Sequence, residues 1–131
     1  MNLFIVLGAA SAVLAGCAAD LPEPAPIEVS WDDLNELVEA FGYEQGIRRF
    51  CEDPSADSQD KFLQELDTLA GVDAALVARA KARASEVQSE FDSADPDEEQ
   101  EYVCTVEMYA GSEDRADAAR QVWANIKEAG K

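Results

Sequence analysis

Histidine is absent from the chain, and with it goes the commonest general base and transition-metal ligand among side chains. Imidazole-bound zinc, histidine-ligated haem, and Ser-His or Cys-His nucleophiles are disfavoured on that ground. Basic residues are scarce as well: ten Lys and Arg stand against 28 Asp and Glu, a formal charge of −18. Proteins bind phosphate backbones by neutralising them with Lys and Arg, so nucleic acid is not an expected partner. An anionic lipid surface should repel the chain for the same reason. Charge instead favours basic proteins, cationic peptides or metal ions, while an acidic surface also serves simply to keep a protein soluble. The N-terminal apolar run, residues 1–16, falls short of the ~20 apolar residues a membrane-spanning helix needs.

That run reads MNLFIVLGAASAVLAG, with Leu3, Phe4, Ile5, Val6 and Leu7 at its centre and no charged side chain anywhere in it. Its length fits the apolar region of a secretory signal with its cleavage site. Leu14, Ala15, Gly16 and Cys17 follow as a tetrapeptide that resembles the lipobox of bacterial lipoprotein precursors. The resemblance implies diacylglyceryl transfer to the Cys17 thiol, cleavage before Cys17, and acylation of the new amino terminus. Two or three acyl chains anchor stably where one holds only marginally. The family's usual basic residue near the start is missing, since only Met1 and Asn2 precede the apolar run. Ala18 follows the cysteine where an Asp would signal inner-membrane retention in enterobacteria, so the implied destination is the periplasmic face of the outer membrane in an organism that has one.

Three segments follow from this: a signal peptide over residues 1–16, a lipidated cysteine and tether over 17–29, and an acidic domain over 30–131. Pro22, Pro24 and Pro26 fall within five residues, which favours an extended, semi-rigid path. From Ser30 onwards the apolar spacing is helical. Trp31, Leu34, Leu37, Val38 and Phe41 share a face with Ser30 as cap and Gly42 as stop, and a short continuation carries Ile47, Phe50 and Cys51. A second helix has Ser58 as cap, Phe62, Leu63, Leu66 and Leu69 as its apolar face, and Gly71 as its end. Asp73 caps a third, with a stripe of Leu76, Ala80, Ala84, Val87 and Phe91. Asp95 and Pro96 open a fourth, bearing Tyr102, Val103, Val106 and Tyr109 up to Gly111. Ser112 caps a fifth that turns Ala116, Ala119, Val122, Trp123 and Ile126 inward. The expected fold is an all-α bundle of about five short helices.

With Cys17 committed to lipid, Cys51 and Cys104 are an even pair in an oxidising compartment, and a disulfide between them is the economical reading. The pair reads as a staple, because a redox role would want a C-x-x-C arrangement. No catalytic, cofactor-binding or metal-ligating residue stands out. The run from Asp92 to Glu101 is acidic but lacks the glycine of a calcium loop and has Pro96 in its midst, so a capped helix start explains it better. Arg79, Lys81 and Arg83, with Glu86 and Glu90 nearby, suggest pairing along one helix or a solvated face. Trp31 and Trp123 are expected in the core.

These features point to a lipid-anchored cell-envelope lipoprotein acting as a non-enzymatic protein-binding or accessory module. Its expected partners are the membrane, through Cys17, and another envelope protein, with basic ones favoured by charge. Two alternatives carry different mechanisms: an inhibitor or immunity-type protein masking a basic envelope enzyme or toxin, and a periplasmic stress chaperone loosened at low pH. A carboxylate-based envelope hydrolase is the minority reading, since the Glu-Ser pair of lipoprotein enzymes that cleave peptidoglycan is lacking.

Overall fold

The computed structural model describes residues 26–51 and 53–130. The apolar leader, Cys17 and the tether as far as Ala25 lie outside the described residues. Among those described, five α-helices and no strand are present: α1 (Trp31–Cys51), α2 (Ser58–Thr68), α3 (Ala74–Asp92), α4 (Pro96–Val103) and α5 (Val106–Ala129). No described helix is long and apolar enough to cross a membrane.

The bundle is built around α1, against which every other helix packs. Ser30 Oγ accepts from the Asp33 amide at 3.1 Å, Asp32 and Asp33 lie in the first turn, and Arg48 and Arg49 lie in the last. Both helix ends thus carry the charge that the helix dipole favours. Because neighbours surround it, α1 buries residues on several sides, including Leu34, Leu37, Val38, Phe41, Glu44, Gln45 and Ile47. This explains why a single apolar stripe describes its first half better than its second.

Gly42 does not stop this helix. A methyl group there would overlap the Gln59 side-chain amide and approach Val87 Cγ1 to 2.8 Å, and one at Gly46 would overlap the Phe91 ring. Both glycines are places where α2 or α3 comes against the α1 backbone, and the expected break and short continuation are one uninterrupted helix.

The remaining boundaries follow local caps with two exceptions. Asp73 accepts from the Ala75 amide at 2.7 Å to start α3, and Asp95 accepts from the Asp97 amide at 2.9 Å to start α4. Ser58 is the first residue of α2, but its hydroxyl turns to Glu44 rather than capping. The second exception is larger: α4 ends at Val103, and Thr105 Oγ1 accepts from the Met108 amide to open α5. Cys104 therefore sits in the corner between two helices instead of within one, and Gly111 and Ser112 lie inside α5. Ser112 is buried and donates to the Tyr109 carbonyl.

Cys51 at the end of α1 and Cys104 at this corner are disulfide-bonded, closing a loop across 53 positions of sequence. The bond holds the short α4 onto α1. A second tie joins the start of the domain to the α2–α3 turn, where the Ile27 amide donates to the Gly71 carbonyl at 2.9 Å. Gly71 has φ of 96°, a left-handed conformation that side chains other than glycine adopt only with strain.

Phe41, Phe62 and Trp123 form a continuous aromatic seam from α1 through α2 to α5, with ring centroids 5.2 Å and 4.9 Å apart. Trp123 is buried as expected, whereas Trp31 is only half-buried, beneath the Arg79 guanidinium. Tyr102 and Val106, read by spacing as belonging to one continuous fourth helix, lie on either side of the helix break at Thr105 and are 73% and 81% exposed.

Candidate functional site

A groove of about 670 Å³ opens where α1, α2, α5 and the 53–57 loop converge. Its base is apolar: Phe41, Phe62 and Trp123 line it from below. Its polar part is centred on Glu44, which reaches the groove from mid-α1 although the residue is only 1% exposed. A buried carboxylate needs partners to offset its lost hydration. Here Arg120 of α5 donates to Glu44 Oε1 at 2.6 Å and the Ser58 hydroxyl donates to the same oxygen at 2.6 Å. Arg48, one turn on from Glu44, holds its Nη2 3.6 Å from Oε2 and gives a 2.8 Å bond to Glu113.

The rim is charged on both sides. Glu65 accepts from Trp123 Nε1 at 2.8 Å and from Lys127 at 3.1 Å, so the aromatic seam and the groove wall share one carboxylate. The indole hydrogen bond and the Lys127 ammonium outweigh partial burial and hold the Glu65 carboxyl below its ordinary range. Asp53 folds the loop upon itself, its Oδ1 accepting from both the amide and hydroxyl of Ser55; these bonds hold its carboxyl below the ordinary range. Arg49 pins the loop from behind through the Ala56 carbonyl at 2.6 Å and Asp60 at 2.9 Å.

Four of the ten Lys and Arg residues line this one groove, namely Arg48, Lys61, Arg120 and Lys127. They face four acids, Glu44, Asp53, Asp57 and Glu65, leaving the groove formally neutral on a chain of charge −18. It is a balanced polar opening over an aromatic base.

A second charged cluster closes the opposite seam of α1. Glu39 receives Arg83 from α3 at 3.2 Å and Arg115 from α5 at 3.3 Å, and Arg115 also forks onto Glu36 at 2.7 and 2.6 Å. Burial works against charge on Glu39, but hydrogen bonds from Asn35, Arg83 and Arg115 prevail and hold its carboxyl low. The third-helix cations are thereby accounted for: Arg83 pairs with Glu86 and Glu39, Lys81 with Asp67, and Arg79 lies 4.0 Å over Trp31. Glu90 accepts from the Tyr43 hydroxyl. This cluster ties three helices.

Sequence reasoning did not find Glu44, nor the buried amides Gln45 and Gln59 that bind α2 to α1 through the Asp60 amide and the Val38 carbonyl. A charged or amide residue inside a helix face carries no mark of its own when 28 acids are present; the available signal was the pair of glycines flanking Glu44, which marks that stretch of α1 as tightly enclosed. Among the described residues no group of three or more acidic or cysteine side chains is arranged to hold a metal ion. No family model matches the chain, and no curated protein or solved structure matches it.

Proposed function

We propose that the chain is a lipid-anchored protein of the bacterial cell envelope, held by acyl chains on Cys17 and acting as a non-enzymatic binding module. The observation that carries this reading is the tetrapeptide from Leu14 to Cys17 at the end of an uncharged apolar run. The bonded Cys51 and Cys104 support export, since disulfides persist in oxidising compartments. A proline-rich stretch leading to Ile27, which is tied to Gly71, suits a spacer that holds a bundle off a membrane.

The groove around Glu44 supports binding over catalysis. Oε1 of this carboxylate is committed to Arg120 and Ser58, an arrangement that fixes the groove wall across three helices. Aromatic and arginine side chains converging at one opening are the composition of contact sites. The expected partner is another envelope protein.

Mass spectrometry of the membrane fraction tests the anchor: the mature chain should begin at Cys17 and carry acyl mass, and Cys17→Ser should release the protein from the membrane. An unprocessed N-terminus on a membrane-free protein would overturn it. Pull-down from solubilised membranes tests the module, with one enriched envelope protein expected and loss of that enrichment on Arg120→Glu.

A further inference from the structure

Among the described residues four large apolar side chains are exposed, and three of them, Tyr102, Val106 and Met108, fall close together in the chain. They bracket the corner where α4 gives way to α5, with Tyr102 in the last turn of α4 and Val106 and Met108 in the first turn of α5. From Tyr102 to Met108 the chain can span at most about 22 Å, which lies inside the footprint of one standard protein interface, about 800 Å² on each partner. The corner is held from behind: Cys104 lies in it and is bonded to Cys51, and α4 packs on α1. The fourth exposed side chain, Val122, is in the second half of α5.

Charge around this corner is of one sign. Residues 92–107 hold seven acids and no Lys or Arg, and Asp97, Glu98, Glu99 and Glu107 are exposed. The chain's own cations are engaged elsewhere. Of its ten Lys and Arg residues, eight are ion-paired with acids outside this stretch, Arg79 lies over Trp31, and Lys131 lies outside the described residues.

We infer that the α4–α5 corner docks a basic segment of a partner protein. The segment sets an apolar side chain against Tyr102, Val106 and Met108, and Lys or Arg side chains against the acids around them. Charge selects this occupant over two others. A second copy of the chain would bring the same acids to the contact, and an anionic lipid surface is repelled in the same way. A basic segment instead gains attraction that speeds encounter and fixes register. Tyr and Met are favoured at interface cores, as is Arg, whose guanidinium also stacks on a tyrosine ring. Affinity then rests mainly on the apolar contact, with the acids as its charged rim.

This surface shares no residue with the groove around Glu44 and does not depend on the anchor at Cys17, so its failure would leave both standing. Calorimetric titration of the detergent-solubilised full chain tests it with three synthetic peptides of about 14 residues, ~21 Å long as helices. The first carries leucine on one helical face and lysine on the other, the second has serine for leucine, and the third has glutamate for lysine. The leucine–lysine peptide should bind saturably, and at least about threefold more weakly when salt rises from ~20 to ~200 mM. Each of the other two should bind about tenfold more weakly or worse. Tyr102→Ser with Val106→Ser, which keeps every charge, should weaken the first peptide about tenfold, and Glu98→Gln with Glu99→Gln about threefold. Val122→Ser should leave it unchanged. All these positions are exposed, so the variants keep the fold. Absence of saturable binding up to about 1 mM, equal binding of the serine peptide, or unchanged affinity in the Tyr102 and Val106 variant would overturn the inference. Dimerisation of the full chain in sedimentation, or its binding to phosphatidylcholine vesicles, would also overturn it if lost in that same variant, because the corner would then have another occupant.

Discussion

Arg120 in the last helix and Glu44 in the first are 76 positions apart in sequence and 2.6 Å apart in space. The carboxylate is buried while the guanidinium is half-exposed. Removing the arginine leaves a buried charge with Ser58 and a distant Arg48 for company, which is the unfavourable way to break such a pair.

Arg120→Ala should therefore destabilise the bundle by about 2 kcal/mol, short of the roughly 3–5 kcal/mol for a pair buried on both sides. Urea unfolding at neutral pH measures it. Adding Glu44→Gln should recover part of the loss, since an amide in that place carries no uncompensated charge; a double variant no more stable than Arg120→Ala would contradict this account of the pair.

Breaking the disulfide tests the staple. The bond closes a loop over 53 positions, worth about 4 kcal/mol by chain entropy. Cys51→Ser with Cys104→Ser should lower the unfolding free energy from urea denaturation by an amount close to that, and dithiothreitol should do the same to the native chain. Far-ultraviolet dichroism should show the helices kept, because α1 packs on α3 and α5 independently of the bond.

Glycines inside helices separate the effect of close packing from that of helix propensity. Gly111 lies within α5 with open space around it, so Gly111→Ala should stabilise by about 0.5–1 kcal/mol. Gly46→Ala gains the same propensity but drives a methyl group into the Phe91 ring, and should destabilise by about 1–3 kcal/mol. Equal effects at the two sites would remove the packing explanation for the uninterrupted α1.

Acid should weaken the fold through Glu65 and Glu39, whose carboxyls are held below the ordinary value of 4.5. A carboxyl lowered by folding contributes stability above its unfolded value, and that contribution is lost as pH falls through the folded one. Unfolding free energy should stay level from about pH 7 to 5 and decline below about 4.5. Glu65→Gln, which keeps an acceptor for Trp123, should lower stability at neutral pH and flatten the acid limb. A profile unchanged by this substitution would show that Glu65 is not one of the responsible groups.

Helix content was legible because its signals are local. The spacing of Leu34, Leu37, Val38 and Phe41, the caps at Asp73 and Asp95, and the small-residue stripe of Ala80 and Ala84 each act within a turn or two: the apolar residues lie in helices and the two aspartates cap helix starts, as expected. Pairing of Cys51 with Cys104 was legible by parity once Cys17 was set aside for lipid. The errors at Gly42, Gly111 and Ser112 share one cause. Glycine and serine punctuate helices in isolation, but Gly42 is required by the approach of Gln59 and Val87, and Ser112 is buried beside Tyr109.

By itself, then, the sequence determined an all-helical acidic chain, its main caps and its disulfide partners, since propensity, periodicity and cysteine count need no knowledge of distant residues. Tertiary structure alone decided which of 28 acids would be buried, because burial of a charge is tolerated only where partners converge. Arg120 and Ser58 come to Glu44 from two other helices, and no local pattern encodes that meeting.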